Sequence, residues 1–358
     1  MPTSSRFRGA AAALLLVLAG VAAPALAQPA ALTGLDAYIE DARAQWRIPG
    51  LAIAVVKDDS VIFARGFGER TLGAGDAVDA NTLFAIASTT KAMTVAGLGM
   101  LVDDGALDWD DPVTRHLPGF QLADPWITHH LTVRDLLTHR IGLAREDNLW
   151  LATPLSRAEI VRRARHLPLV GPFRAGYGYN NIMFMAAGEV LASAAGTSWD
   201  DFLETRLFQP LGMTRTTSRA AVVETRGNVA SSHTRSGDEV SVRERRDFDA
   251  LGPAGSVFSS ANDMARWLRL HLGEGEIEGR RLLADSTLEE MHTPQVALRV
   301  GRQARERFPT RNFAAYALGW RIEDYHGRKV VQHTGNVNYT RTQVGMIPSE
   351  GIGVVVMA

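Results

Sequence analysis

The sequence predicts an α+β fold: one mainly antiparallel sheet assembled from both chain ends, with an all-helical lobe inserted between them. Three observations carry this expectation. Short apolar runs paired around turn residues occur near both ends, capped helical segments fill the middle, and a nearly all-apolar helix begins where the first strands stop. The 358 residues are enough for such a two-lobed domain with a sizeable core. The sheet lobe is expected over about residues 33–87 and 250–358 and the helical lobe over about 88–249.

Leu35–Trp46 has helical periodicity, and Pro49-Gly50 stops it. Residues 51–56 and 61–64 are apolar runs flanking Lys57-Asp58-Asp59-Ser60, a hairpin pattern. A turn-rich stretch, 73–81, leads through Leu83-Phe84-Ala85-Ile86 to Ser88. Met93, Ala96, Gly97, Met100 and Leu101 then follow at helical spacing, with Gly105 as the stop. A helix this apolar on every side belongs in the centre of a core. Thr132, Ser156 and Ser198 each open a capping-box pattern, and Asn181–Ala195 is a helix stopped by Gly196. Residues 227–249 are polar, charged at every position from Arg243 to Asp247, and read as a solvated loop or ragged strands. Ser260 opens a helix through Leu270, and Ser286 a short one. Residues 316–322 and 329–332 flank His326-Gly327 as one hairpin; 342–347 and Ile352–Met357 flank Pro348-Ser-Glu-Gly351 as another.

Composition narrows the function classes. Net charge is -1, so no broad basic field invites nucleic acid or an anionic membrane. There is no cysteine, which removes disulfides, thiolate catalysis and cysteine metal sites. His129, His130 and His139 lack a credible ligand set and read as surface or packing histidines, so no metal and no cofactor is expected. Arg6 and Arg8, the apolar run 10–23 and Ala25-Leu26-Ala27 read as a secretory leader over residues 1–27, cleaved before Gln28. The mature chain, 28–358, is expected in the periplasm or outside the cell, with no membrane anchor.

Lysine is nearly absent. Lys57, Lys91 and Lys329 stand against a Lys+Arg total of 38. Arginine stays charged at any working pH, whereas a buried lysine can lose its proton and act as a base. Lys91 follows Ser88 by three residues, which places amine and hydroxyl on one helical face near a helix N-terminus. Tyr179-Asn180-Asn181 precedes an apolar helix; a phenol there can relay protons and an asparagine can bind the lysine or a substrate amide, or cap the helix. His333-Thr334-Gly335 ends a strand before Asn336, whose N–H could join that of Ser88 in an oxyanion hole. Each element alone is a weak signal.

Taken in order, the S-x-x-K helix, the Y-x-N element and the H-T-G strand resemble the serine β-lactamase and penicillin-binding-protein-like hydrolases, especially the class C β-lactamase and esterase branch. Further segments share the likeness: Thr132-Val-Arg-Asp-Leu-Leu-Thr-His139 with Gly142-Leu143, Pro210-Leu-Gly-Met213, Pro253-Ala-Gly-Ser256, Leu318-Gly-Trp320 and Gly345-Met-Ile-Pro348. The resemblance spans residues 33–358. It implies a β-lactamase/transpeptidase-like fold and an acyl-enzyme on Ser88, with Lys91 and Tyr179 as general base and acid in an order left open. It also implies substrate contacts from Asn181, His333, Thr334, Gly335 and Asn336. The substrate would be a small ester, amide, β-lactam or D-amino-acid peptide.

Two departures bear on that expectation. The family's lactamases and transpeptidases usually carry lysine where this chain has His333, which shifts the expectation toward esterase, amidase or D-amino-acid peptidase activity. Carboxylate-dependent turnover is then expected to fall as pH rises through the His333 pKa. The family normally continues past its last strand into a helix that covers the sheet, and this sequence stops at Ala358. One sheet face is therefore expected to be bare or covered by the N-terminal helix alone. The alternatives are a β-lactamase proper and a penicillin-sensing protein that acylates without turnover. Trp150 and the loop 144–154 are expected to border the site.

Overall fold

A computed structural model of the chain describes residues 32–151 and 153–358. The leader reading, residues 1–27, lies outside the described residues. Helix α1, Leu35–Trp46, ends as anticipated, because Arg47 turns left-handed (φ 54°) and returns its N–H to Ala44. Strands β1, Gly50–Lys57, and β2, Ser60–Gly68, form the first hairpin. Its turn residues, Asp58 and Asp59, both take positive φ, the geometry that matches the twist of a tight hairpin.

Helices α2, Thr90–Asp103, α3, Asn181–Ala195, and α4, Ala261–Leu272, organise the interior. Twelve residues of α2 are buried, in line with its uninterrupted apolar pattern. Helix α4 and the short helices nearby start as the capping patterns require: Ser260, Thr132, Ser156 and Ser198 each accept a backbone N–H three residues on. Ser286 does not. That helix runs Asp285–Met291 with Ala284 before it, so Ser286 lies inside the first turn. The charged stretch holds an exposed hairpin of Ser232–Ser236 and Glu239–Arg243.

The main sheet is completed by β3, Val296–Leu298, β4, Ala314–Tyr316, β5, Arg321–Tyr325, β6, Arg328–Val337, β7, Thr340–Ile347, and β8, Ile352–Met357. All neighbours are antiparallel, in the order β2-β1-β8-β7-β6-β5-β4-β3. The two chain ends meet in the pair β1–β8, in register from Ala52↔Met357 to Lys57↔Ile352. The run 316–322, expected as one strand, is two. Gly319 takes φ 73°, and a Cβ there would lie 3.2 Å from Ala92 of α2, so Leu318-Gly-Trp320 is a turn pressed onto the central helix.

Alternation divides the sheet into two faces. Ala52, Ala54, Val56, Val355 and Met357 face the main core, which holds α2, α3 and α4 with Trp199, Trp267 and Trp320 fully buried. Leu51, Val55 and Phe63 face the other way, against Ile39 of α1. That second cluster draws in Val354 and Ala358. Farther along the same face, Val330, Ile347 and Ile352 line an apolar groove of about 330 Å³ with Phe308 and Tyr325. The outer face is thus covered by α1 over β1 and β2 and grooved beyond them.

Candidate active site

Ser88 sits in a 3-10 turn, Ala87–Thr89, immediately before α2. Helix α2 itself begins two residues later than the spacing suggested. Ala87 is buried and left-handed (φ 49°), a conformation that costs a non-glycine residue about 1 kcal/mol or more. The turn is held from β6: a Cβ on Gly335 would stand 2.2 Å from the carbonyl oxygen of Ile86. The glycine is needed for this approach of strand to turn.

Lys91 is fully buried, and its Nζ has three oxygen neighbours. They are Asn181 Oδ1 at 2.8 Å, the Ala254 carbonyl at 2.7 Å and Ser88 Oγ at 3.2 Å. Burial holds the amine well below its ordinary range; the Asp147 carboxylate opposes that shift and the Arg145 guanidinium adds to it. On the other side of Ser88, the Tyr179 hydroxyl donates to Oγ at 2.8 Å. Burial raises the phenol, while its bond to Ser88 pulls the opposite way. The amine therefore gives up its proton more readily than the phenol.

Asn180 and Asn181 divide two tasks that the sequence left open. Asn180 caps α3 through Met183 N–H and donates to the Ala144 carbonyl. Asn181 turns inward, accepting from Lys91 and donating from Nδ2 to Asp147 Oδ1 at 3.0 Å. Three contributors were missed. Asp147 and Arg145 lie in the loop 144–154 that was expected to border the site, but neither side chain was singled out; Arg145 lies 5.1 Å from the centre of the Tyr179 ring. The Ala254 carbonyl lay inside the quoted segment Pro253-Ala-Gly-Ser256, which marked the place without showing the contact.

The β6 side of the site is closed. His333 is buried. Its Nδ1 bonds the Thr334 carbonyl at 2.7 Å and its Nε2 meets the Tyr316 hydroxyl at 3.1 Å. Burial raises that phenol well above its usual value, so Tyr316 donates and His333 carries its hydrogen on Nδ1. Burial, with the charge of Lys91 adding, takes His333 down to about 3. Held in this way the ring does not gain a proton near the usual imidazole value, so carboxylate-dependent turnover would have no charged His333 to lose there. Thr334 and Asn336 are exposed and alternate with the inward His333 and Gly335.

His139 is a packing residue, as expected. It is buried and left-handed (φ 57°), and it accepts the Asn180 N–H on Nδ1. Its ring stands 4.2 Å from that of Tyr179, 4.7 Å from Tyr316 and 5.2 Å from Phe184. His129 and His130 are on the surface. Trp150 donates to Asp147 Oδ1 at 3.1 Å and lines a cleft of about 750 Å³ with residues from 153–157 and 244–250. The cleft adjoins the reactive groups without containing them: Trp150 connects it to Asp147, and the turn Asp249–Ala254 to Lys91.

A family model described as Beta-lactamase matches residues 35–358. An unguisins hydrolase of Aspergillus violaceofuscus is 30% identical over 333 residues, which are 87% of this chain and 58% of the relative. The chain thus spans less than three fifths of that protein's length. Among solved structures, a penicillin-binding protein homologue from Pyrococcus abyssi is similar with a TM-score of 0.80 at 24% identity, over 91% of this chain and 73% of that one. A D-amino acid amidase from Ochrobactrum anthropi, complexed with L-phenylalanine amide, has a TM-score of 0.74 at 25% identity and covers 91% of each chain.

Proposed function

We propose a serine hydrolase of esters or amides for this chain, which belongs to the beta-lactamase family and has the β-lactamase and transpeptidase fold. One observation carries the reading. Two of the three oxygens around the Lys91 amine are held by the fold, and the third is Ser88 Oγ. A neutral amine has two N–H bonds and one lone pair. With its hydrogens on Asn181 Oδ1 and the Ala254 carbonyl, the lone pair faces the serine hydroxyl.

The steps then balance. Ser88 gives its proton to Lys91 as Oγ bonds the substrate carbonyl carbon, and the carbonyl oxygen becomes an oxyanion held by the N–H groups of Ser88 and Asn336. Tyr179 protonates the leaving oxygen or nitrogen as its bond to carbon breaks. The resulting phenolate lies beside the ammonium of Lys91, whose Nζ is 4.9 Å from the ring centre, and that charge stabilises it. Water next loses a proton to the phenolate and attacks the acyl carbon. Ser88 Oγ departs with the proton from Lys91, and all three groups return to their starting states.

The neutral, enclosed His333 supports substrates that need no cation from β6. An ester, an amide or a D-amino-acid peptide fits that better than a lactam anchored by its carboxylate. The test is intact mass of the protein after brief exposure to p-nitrophenyl acetate or a chromogenic cephalosporin, with Ser88→Ala alongside and released chromophore as the parallel readout. A Ser88-dependent adduct with turnover of the ester and little of the cephalosporin is expected. Fast cephalosporin turnover would assign a β-lactamase, and a long-lived adduct without turnover a sensing protein. Neither adduct nor Ser88-dependent chromophore release from folded protein would refute the reading.

A further inference from the structure

Asp147 belongs to none of the sequence elements that define the site, yet its carboxylate gathers three donors. Oδ1 accepts from Asn181 Nδ2 at 3.0 Å and from Trp150 Nε1 at 3.1 Å, and Oδ2 from Arg145 Nε at 2.7 Å. A half-exposed ion pair with Arg145 alone would contribute little. The contact to Asn181 is different in kind. An amide side chain can face a neighbour with either its oxygen or its nitrogen, whereas a carboxylate only accepts. Asp147 therefore requires Nδ2 of Asn181 to point at it, which leaves Oδ1 for Lys91. With Oδ1 fixed, and with the Ala254 carbonyl fixed by the turn Asp249–Ala254, one direction from Nζ remains, and it meets Ser88 Oγ.

We propose that Asp147 is a positioning residue that sets the amide of Asn181 and, through it, aims the lone pair of Lys91 at Ser88. The inference rests on the serine hydrolase reading above. Asp147 also bears on the charge of the amine, in concert with the other groups that face Lys91. These are Arg145 on its own loop, Tyr179 and Asn181 at the start of α3, His139 beside them and His333 on β6. Of these, Asp147 alone favours the ammonium by its charge.

The test is steady-state hydrolysis of p-nitrophenyl acetate by Asp147→Ala and Asp147→Asn from pH 5 to 10, with Ser88→Ala as reference and thermal melts for each protein. Alanine leaves the amide of Asn181 free to turn, and kcat is expected to fall about 10- to 100-fold, the range of other indirect orienting partners. Asparagine can still offer an oxygen to Asn181 Nδ2, so most of kcat is restored. Its acid limb moves to lower pH, because the charge that favoured the ammonium is gone. An alanine variant with unchanged kcat overturns the proposal, whatever its melting temperature. Should alanine prevent folding, Asp147→Leu, close in size and without an acceptor, decides by the same readout: a fall in kcat supports the proposal and an unchanged kcat overturns it. If Ser88→Ala keeps both adduct and turnover, the hydrolase reading falls instead.

Discussion

Two buried clusters of titratable groups invite comparison. One surrounds Lys91. The other lies under α4, where His271 Nδ1 meets His292 Nε2 at 3.1 Å among Trp267 and Trp320. Burial shifts both: Lys91 and His271 fall well below their usual ranges, and His292 falls to about 3. The difference lies in their surroundings. Lys91 has an oxygen for each of its three directions, and one of those oxygens is on the half-exposed Ser88. Around the histidines, His271 Nε2, Trp267 Nε1 and Trp320 Nε1 have no hydrogen-bond partner among the described residues. A displaced pKa therefore does not by itself mark a reactive centre; a partner that can leave with a proton does.

The comparison breaks most visibly at Lys91. Lys91→Arg keeps a positive charge that cannot serve as a base. Ester hydrolysis is expected to drop at least about a thousandfold, since nucleophile and base act as a unit. Retention of a tenth of wild-type kcat would remove the distinction between the clusters. In the wild type, activity rises with pH as Lys91 loses its proton and shows no inflection from His333 between pH 5 and 8, which a pH–rate profile checks.

The histidine cluster is expected to answer in stability alone. Its groups are neutral in the fold, and the unfolded chain binds protons below about pH 6.5. Stability is thus full above that value and declines as pH falls toward the folded value of about 3, by up to about 1.4 kcal/mol per pH unit for each such histidine. Urea unfolding from pH 7 to 4 measures the slope, and His292→Gln should make it shallower without changing kcat at pH 7. Gly335→Ala brings its methyl group onto Ile86 and is expected to cost about 1–3 kcal/mol, with a lower kcat because the Ser88 turn must shift. Tyr316→Phe removes one neutral hydrogen bond from His333. It should cost about 1 kcal/mol and leave the pH–rate profile unchanged, which would sharpen the assignment of His333 to structure.

What could be read from the sequence follows the range of the forces involved. Leu35–Trp46 and Asn181–Ala195 were legible because periodicity is local, although the first helix stops at a left-handed Arg47 that Pro49-Gly50 did not point to. The same holds for the caps at Thr132, Ser156, Ser198 and Ser260. The break at Gly319 was not, since it comes from contact with α2. Ser88, Lys91, Tyr179 and Asn181 were legible as candidates, and the structure joins them by hydrogen bonds. The segments that hold Asp147, Arg145 and the Ala254 carbonyl were legible, but their individual contacts were not, because aperiodic loops deliver them. The enclosure of His333 was not legible, because burial among residues distant in sequence, Tyr316 among them, produces it.

The pairing of β1 with β8 has a consequence for how the molecule comes into being. During synthesis the hairpin of β1 and β2 emerges about 300 residues before β8, the inner partner of β1. Joining them closes a loop of about 300 residues, at an entropic cost of about 5 kcal/mol that no local contact offsets. Such long-range pairing slows folding. Until it forms, the apolar strand from Gly50 to Lys57 presents an unpaired edge to other nascent chains.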